Sequence, residues 1–319
     1  MRIRLFILAL TATLSTATLA TAQFKEGDPG GAKLGQASTQ KWRCGMVITA
    51  TGGPCRSLVG YAAVPVQWPE QEVKIVEEDV SPGAKVNYQT VDGTIKIMTV
   101  RIANLSANQE AKALVTFEVR RSIQMAPENT DVFRLPEKNK LDRSVLTYLA
   151  TSPKIECTNP KIRELAKKIG ADKEKAWQRV EAIYDFVRSK VEYKHLPHKG
   201  AVGALKEGAG DCEDMTSLFI AICRAANIPA RTVWIPGHVY PEFYLLDDKG
   251  EGHWFPCQVA GTRAFGEMPE TKPILAKGDN FRPPYNPKEH ERYIREYLTG
   301  APMQNGGKPT VKFVRELVN

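Results

Sequence analysis

The chain has 319 residues, of which 42% are hydrophobic and 25% charged, and a formal net charge of +8. The length exceeds a typical domain of ~100–200 residues, so two domains are expected, with cores that need no disulfide staples. Composition and a mean hydropathy of −0.33 exclude wholesale disorder and a multi-pass membrane protein. The basic excess suits acidic partners such as wall polymers, although a solvated basic surface explains it too. No nucleic-acid motif or basic-aromatic ladder occurs, so a nucleic-acid partner is not expected.

Residues 1–22 read as a cleavable signal peptide. Arg2 and Arg4 form a basic start, and Ala20-Thr21-Ala22 is a small-x-small cleavage signal. The apolar run between them, Leu5 to Leu14, is ~10 residues, against the ~20 needed to span a bilayer. No later run is long enough either. A secreted or periplasmic protein without integral membrane contact is expected.

Residues 23–40 are rich in Gly, Ala, Gln and Ser and read as a flexible leader. Residues 41–126 read as a β-sandwich domain. Val73 and Ile75, then Val86 and Tyr88, alternate with polar positions, as do Ala113, Val115, Phe117 and Val119. Asp92-Gly93 between the runs 85–91 and 94–102 is a hairpin signal. Asn104-Leu105-Ser106 is a glycosylation sequon, of consequence only in a host that glycosylates.

Residues 127–261 form the next unit, and from about 155 the period becomes helical. Asn159 is an N-cap, Pro160 suits the first helical position, and Gly170 closes the helix. A second helix carries Ala176, Val180, Ile183, Tyr184 and Val187 on one face. A glycine-punctuated loop, Gly200 to Gly210, precedes a third helix over 212–226. Three strands follow: Arg231–Ile235, His238–Leu246 and Trp254–Val259. In the C-terminal extension, 262–319, Asn286-Pro287-Lys288-Glu289 predicts a helix to about Leu298. Val311 and Phe313 predict a short last strand.

The six cysteines are at 44, 55, 157, 212, 223 and 257. Export permits disulfides. Cys44 and Cys55 flank a turn and could bridge locally, and Cys257 could bridge to Cys157 or stay free. No CxxC occurs, which argues against a zinc knuckle or a thioredoxin-like redox site. No cofactor and no metal is expected.

The most informative stretch is Gly208-Ala209-Gly210-Asp211-Cys212-Glu213-Asp214. A glycine loop delivers Cys212 to the first turn of a helix whose apolar stripe is Met215, Phe219, Ile222 and Ala226. The helix N-terminus favours a thiolate, and its free N–H groups could hold an oxyanion. Asp211, Glu213 and Asp214 oppose that thiolate. The dipole contributes only ~0.3–1 kcal/mol at exposed sites and up to ~2 when partly buried, so an imidazolium partner is required. His238, opening a strand after Pro236-Gly237, is the best candidate. His195, His198, His253 and His290 fit worse.

These residues resemble the transglutaminase-like superfamily, whose fold is papain-like. The similarity runs from Gly-Asp-Cys at the helix start through Leu218 to Arg224. It continues along Asn227-Ile228-Pro229-Ala230-Arg231 to His238 and Trp254-Phe255-Pro256, covering roughly residues 157–260. It implies an α+β fold: an N-terminal β-sandwich, then a core with a helix packed on an antiparallel sheet. It also implies a Cys–His–Asp triad. Here the third position is Gln258, where an Asp is expected. An amide oxygen can orient the imidazole but lends no full charge, and Gln has one more rotatable bond than Asn. Tyr193 and Trp234 are candidates for a second oxyanion donor, and Arg231 for anchoring a carboxylate.

Cys212, His238 and Gln258 are therefore the expected catalytic set of an exported cysteine-nucleophile enzyme acting on amide bonds. It would be a peptidase or amidase if water resolves the thioester, and a cross-linker if an amine does. Its substrate is a peptide or protein, or a cell-envelope polymer. The alternative is a catalytically degenerate envelope binding or scaffold protein on the same fold.

Overall fold

The computed structural model describes residues 31–303 and 307–318, so the expected signal peptide lies outside the described residues. The chain begins with β1 (Lys33–Ala50), β2 (Cys55–Val64), β3 (Gln71–Val80), β4 (Ala84–Val91), β5 (Ile95–Leu105) and β6 (Glu110–Met125). It continues through α1 (Arg143–Leu146), α2 (Pro160–Lys168), α3 (Ala176–Lys190), β7 (Glu192–Tyr193), α4 (Gly200–Glu207), β8 (Ala209–Gly210) and α5 (Cys212–Ala225). Then follow β9 (Ala230–Ile235), β10 (His238–Leu246), β11 (Gly252–Gln258), β12 (Ala264–Phe265), β13 (Ala276–Lys277), β14 (Tyr297–Pro302) and β15 (Pro309–Val318).

Period-two alternation builds the N-terminal layers. Cys44, Met46 and Ile48 of β1 and Ala113, Val115 and Phe117 of β6 point to one side. There they meet Leu58 and Ala62 of β2 and Met98 and Val100 of β5. One sheet runs β15-β1-β6-β3, and the facing strands are β4, β5, β2 and β14. Each buried large aliphatic contributes roughly 1.5–3 kcal/mol. The β4–β5 hairpin turns where predicted, with positive φ at Asp92 (50°) and Gly93 (69°).

In the second half, α5 lays Leu218, Phe219 and Ile222 in a core with Phe243 and Leu245 of β10 and Phe255 of β11. The strands β9, β10 and β11 form an antiparallel meander. Thus a helix packs on an antiparallel sheet. Asn159 caps α2, accepting from the Lys161 N–H at 3.0 Å. The two halves share one nine-stranded sheet, because Ala276 of β13 pairs with Ile95 of β5 and with Trp234 of β9.

A buried ion network ties the same junction. Glu242 accepts from Arg231 Nε at 2.7 Å and from Lys277 Nζ at 2.6 Å. Lys277 also donates to Glu70 at 2.6 Å. Arg231 is therefore the carboxylate anchor expected of it.

Four local expectations differ from the structure. Residues 33–40, read as leader, form the first part of β1 and pair with β6. This stretch stays mostly exposed or half-exposed, so it is ordered by backbone pairing and leaves no apolar signature. The loop from Gly200 contains α4, which Gly208 ends in the left-handed region (φ 66°). No helix forms after Asn286. The Asn286 amide donates to Glu289 at 3.0 Å, closing only a turn, and Phe281 bridges to Glu291. Extended backbone there buries Ile294 against Ile95, Ile97 and Trp234 and lets β14 pair with β2. Finally, all six cysteines are free, so neither the Cys44–Cys55 nor the Cys157–Cys257 bridge is present. The predicted last strand is β15, paired with β1.

Candidate active site

The position of Cys212 is built by the turns before α5. β8 pairs in parallel with β7, through Glu192 N–H to Gly208 O at 2.9 Å and Lys194 N–H to Gly210 O at 2.8 Å. Only a residue without Cβ fits at 210, since a Cβ there would lie 2.6 Å from the Asp214 Cβ. Asp211 then caps the helix, its Oδ1 accepting from the Glu213 and Asp214 N–H groups at 2.9 and 3.0 Å. Cys212 follows as the first helical residue, half-buried.

The three acids of this turn have different fates. Asp214 is fully buried, and its Oδ1 accepts from the Lys199 and Gly200 N–H groups at 2.9 Å each. It ties α4 to α5 and stands 2.8 Å from His198 Nδ1. Glu213 is ion-paired with Arg292 of the C-terminal segment. Burial pushes the Cys212 thiol above its ordinary value, and Asp211 adds to the rise. The Val239 backbone N–H and Arg292 draw it back. Burial thus outweighs the groups around the sulfur that favour a thiolate.

His238 opens β10 after Gly237, whose φ of 72° makes the turn. Its Nε2 lies 2.8 Å from Gln258 Oε1. An amide oxygen only accepts, so Nε2 is the donor of this pair and Nδ1 is the nitrogen left for other partners. The end of β11 is clamped: the Gln258 carbonyl accepts from the Tyr184 hydroxyl at 2.9 Å and Arg188 Nη1 at 3.0 Å.

Cys212 and His238 line one cavity of about 350 Å³, together with Tyr193, Trp234, Leu275 and Tyr293. Gln258 stands outside that lining, with His238 between. His195 also lines the cavity, 3.5 Å from the Tyr193 hydroxyl, which the sequence did not indicate. Of the two oxyanion candidates, the Trp234 N–H is already given to Gly278 O at 2.8 Å. Tyr193, 46% exposed, is left at the mouth.

Leu275, Arg292, Tyr293 and Arg315 come from the C-terminal extension and escaped the sequence reading. No local signal marks them, because their positions follow from β13, β14 and β15 joining distant strands. Cys257 and Cys223 are fully buried in the helix–sheet core. Donor atoms of His198, Asp211 and Asp214 lie within 4.8 Å of one another, as do those of Asp247, Glu251 and His253. The Asp211, Asp214 and Asp247 carboxylates already accept backbone N–H groups, so these clusters serve as caps and turns.

Residues 163–259 match the family model of the Transglutaminase-like superfamily. The chain thus carries a transglutaminase-like core, and the matched span contains Cys212, His238 and Gln258. A crystal structure of a cysteine protease candidate from Cytophaga hutchinsonii shares the fold, with a TM-score of 0.59 at 19% identity over 89% of this chain and 92% of that one. The periplasmic domain of TgpA from Pseudomonas aeruginosa, bound to ethylmercury, aligns at 15% identity over 72% of this chain and 91% of that one, with a TM-score of 0.34. A protease candidate from Parabacteroides distasonis aligns at 15% identity over 75% of this chain and 48% of that one, with a TM-score of 0.28. No curated protein matches the chain. Among the described residues, no helix is long and apolar enough to cross a membrane.

Proposed function

We propose that this chain is an exported cysteine-nucleophile enzyme acting on amide bonds of a peptide, protein or cell-envelope polymer. The observation that carries the reading is the 2.8 Å contact of His238 Nε2 with Gln258 Oε1, which leaves Nδ1 as the base at a cavity Cys212 also lines. Because burial raises the Cys212 thiol, His238 acts as a general base during attack and not as a standing ion-pair partner. The sulfur adds to the carbonyl carbon while its proton passes to Nδ1. The helix start faces the developing oxyanion, and the Cys212 N–H is the donor of that turn not taken by Asp211. His238 then returns the proton to the leaving amine, and a thioester remains. Water resolves it in a peptidase or amidase, an amine in a cross-linker.

A second reading, a catalytically degenerate envelope scaffold, is favoured by the amide at the third position and by the raised thiol. Turnover of peptide amides, with and without an amine acceptor, separates the two. The enzyme reading expects turnover by the wild type and none by Cys212→Ala or His238→Ala. Absence of turnover and of any Cys212 acyl adduct, with envelope polymer still bound, would establish the scaffold.

A further inference from the structure

The C-terminal segment brings a cation to the nucleophile's helix. Arg292 ion-pairs with Glu213, the residue after Cys212. Its guanidinium also lies over the Trp234 ring, 5.1 Å from the centroid. That ring lines the cavity and is fixed by its bond to Gly278 O. The Arg292 side chain is 26% exposed, so water screens its charge only partly.

We infer that Arg292 is a positioning residue for the Cys212 thiolate, offsetting the Asp211 and Glu213 carboxylates on either side of it and easing transfer of the thiol proton to His238. The inference rests on Cys212 being the nucleophile. The charge balance of the turn supports it. Two carboxylates flank Cys212, and a thiolate would be a third negative charge within one helical turn. Asp214 faces away, held by α4. From the other elements, His238, Tyr193 and His195 share the cavity. His198 stands 3.8 Å from Glu213, and burial, with Arg292 adding to it, brings its pKa down to about 4, so it adds no charge at neutral pH. Arg315 of β15 also lines it but is paired with Glu296 at 2.8 Å. Arg292 lowers the thiol's pKa, and Cys212 with Asp211 supports the arginine's charge in return. Burial brings Arg292 down to about 10, so it stays charged at neutral pH.

The test reads the thiol and not turnover: the pH profile of iodoacetamide alkylation of Cys212 in the full chain, quantified by mass mapping of the modified peptide. Arg292→Gln keeps a planar group over Trp234 and removes the charge. It is expected to move the midpoint up by about one pH unit and slow alkylation at pH 7.5 about tenfold. Arg292→Lys should restore most of the rate, and Glu213→Gln should move the midpoint down. An Arg292→Gln variant with wild-type melting temperature and wild-type profile overturns the inference, as does Arg292→Lys shifting as far as Arg292→Gln. Should Arg292→Gln fail to fold, Glu213→Gln decides, an unmoved midpoint overturning it. A shifted profile in a chain that turns over nothing would reject the proposed function and, with it, the proton transfer to His238, while the charge effect of Arg292 on the thiol would stand.

Discussion

At the scale of single residues, the proposed chemistry rests on Gln258 and Cys212. The Gln258 oxygen reaches His238 from a clamped strand end, so the amide orients the ring without contributing a charge. Gln258→Ala is expected to lower kcat on a peptide amide by about 10²-fold, within the range of a lost acid–base function. Gln258→Asp should match or exceed the wild type, because a carboxylate also stabilises the imidazolium. A Gln258→Ala variant with wild-type kcat would remove Gln258 from the site. Burial raises the Cys212 thiol, so its alkylation midpoint should lie above that of free cysteine, and it should react more slowly than free cysteine at pH 7.5. Faster reaction would mean a standing thiolate. Cys212 and His238 were legible because a glycine loop before a helix and a Pro-Gly turn before a strand are local features, and Gln258 through the family resemblance.

For an element, α5 sets stability against reactivity. Asp211 caps the helix and raises the neighbouring thiol. Asp211→Asn keeps the cap and removes the charge. Melting temperature should stay near the wild type while Cys212 alkylates several-fold faster, since neutralising a neighbouring carboxylate favours the thiolate. Asp211→Ala should also react faster but lose about 1 kcal/mol of stability. Calorimetry and alkylation on the two variants separate the roles, and equal reactivity in all three proteins would show that the carboxylate does not act on the sulfur. Helix α5 was readable from its apolar stripe and the glycine loop before it, whereas the cap made by Asp211 comes from the structure. The missing helix after Asn286 was not, because its capping signature is local while burial of Ile294 and pairing of β14 are long-range and outweigh it.

Across the whole molecule, the shared sheet and the Glu70–Lys277–Glu242–Arg231 network join the two halves. Removing the central cation leaves Glu70 and Glu242 buried around the gap, so Lys277→Met should cost about 3–5 kcal/mol in denaturant unfolding. Loss below 1 kcal/mol would make the network dispensable. Burial alone would raise the Glu242 pKa, but Lys277 and Arg231 outweigh it and hold the carboxyl below the ordinary 4.5. A depressed acid stabilises the fold above its unfolded value and loses that contribution as pH falls through its folded value. Thermal melts should therefore weaken below pH 4.5, and the pH slope there should flatten in Glu242→Gln.

Local rules carried the sandwich strands, the helix bearing Cys212, the strand opening at His238 and the resemblance of the core to the transglutaminase-like model. Alternation, capping and turn residues act over a few positions and leave a periodic trace. The meeting of Arg292 with Glu213, the closing of the cavity by Tyr193, Leu275 and Tyr293, and the place of β13 between β5 and β9 join residues far apart in the chain. Such contacts arise when backbone edges find partners and apolar surface finds cover, and they imprint no period on the residues that make them.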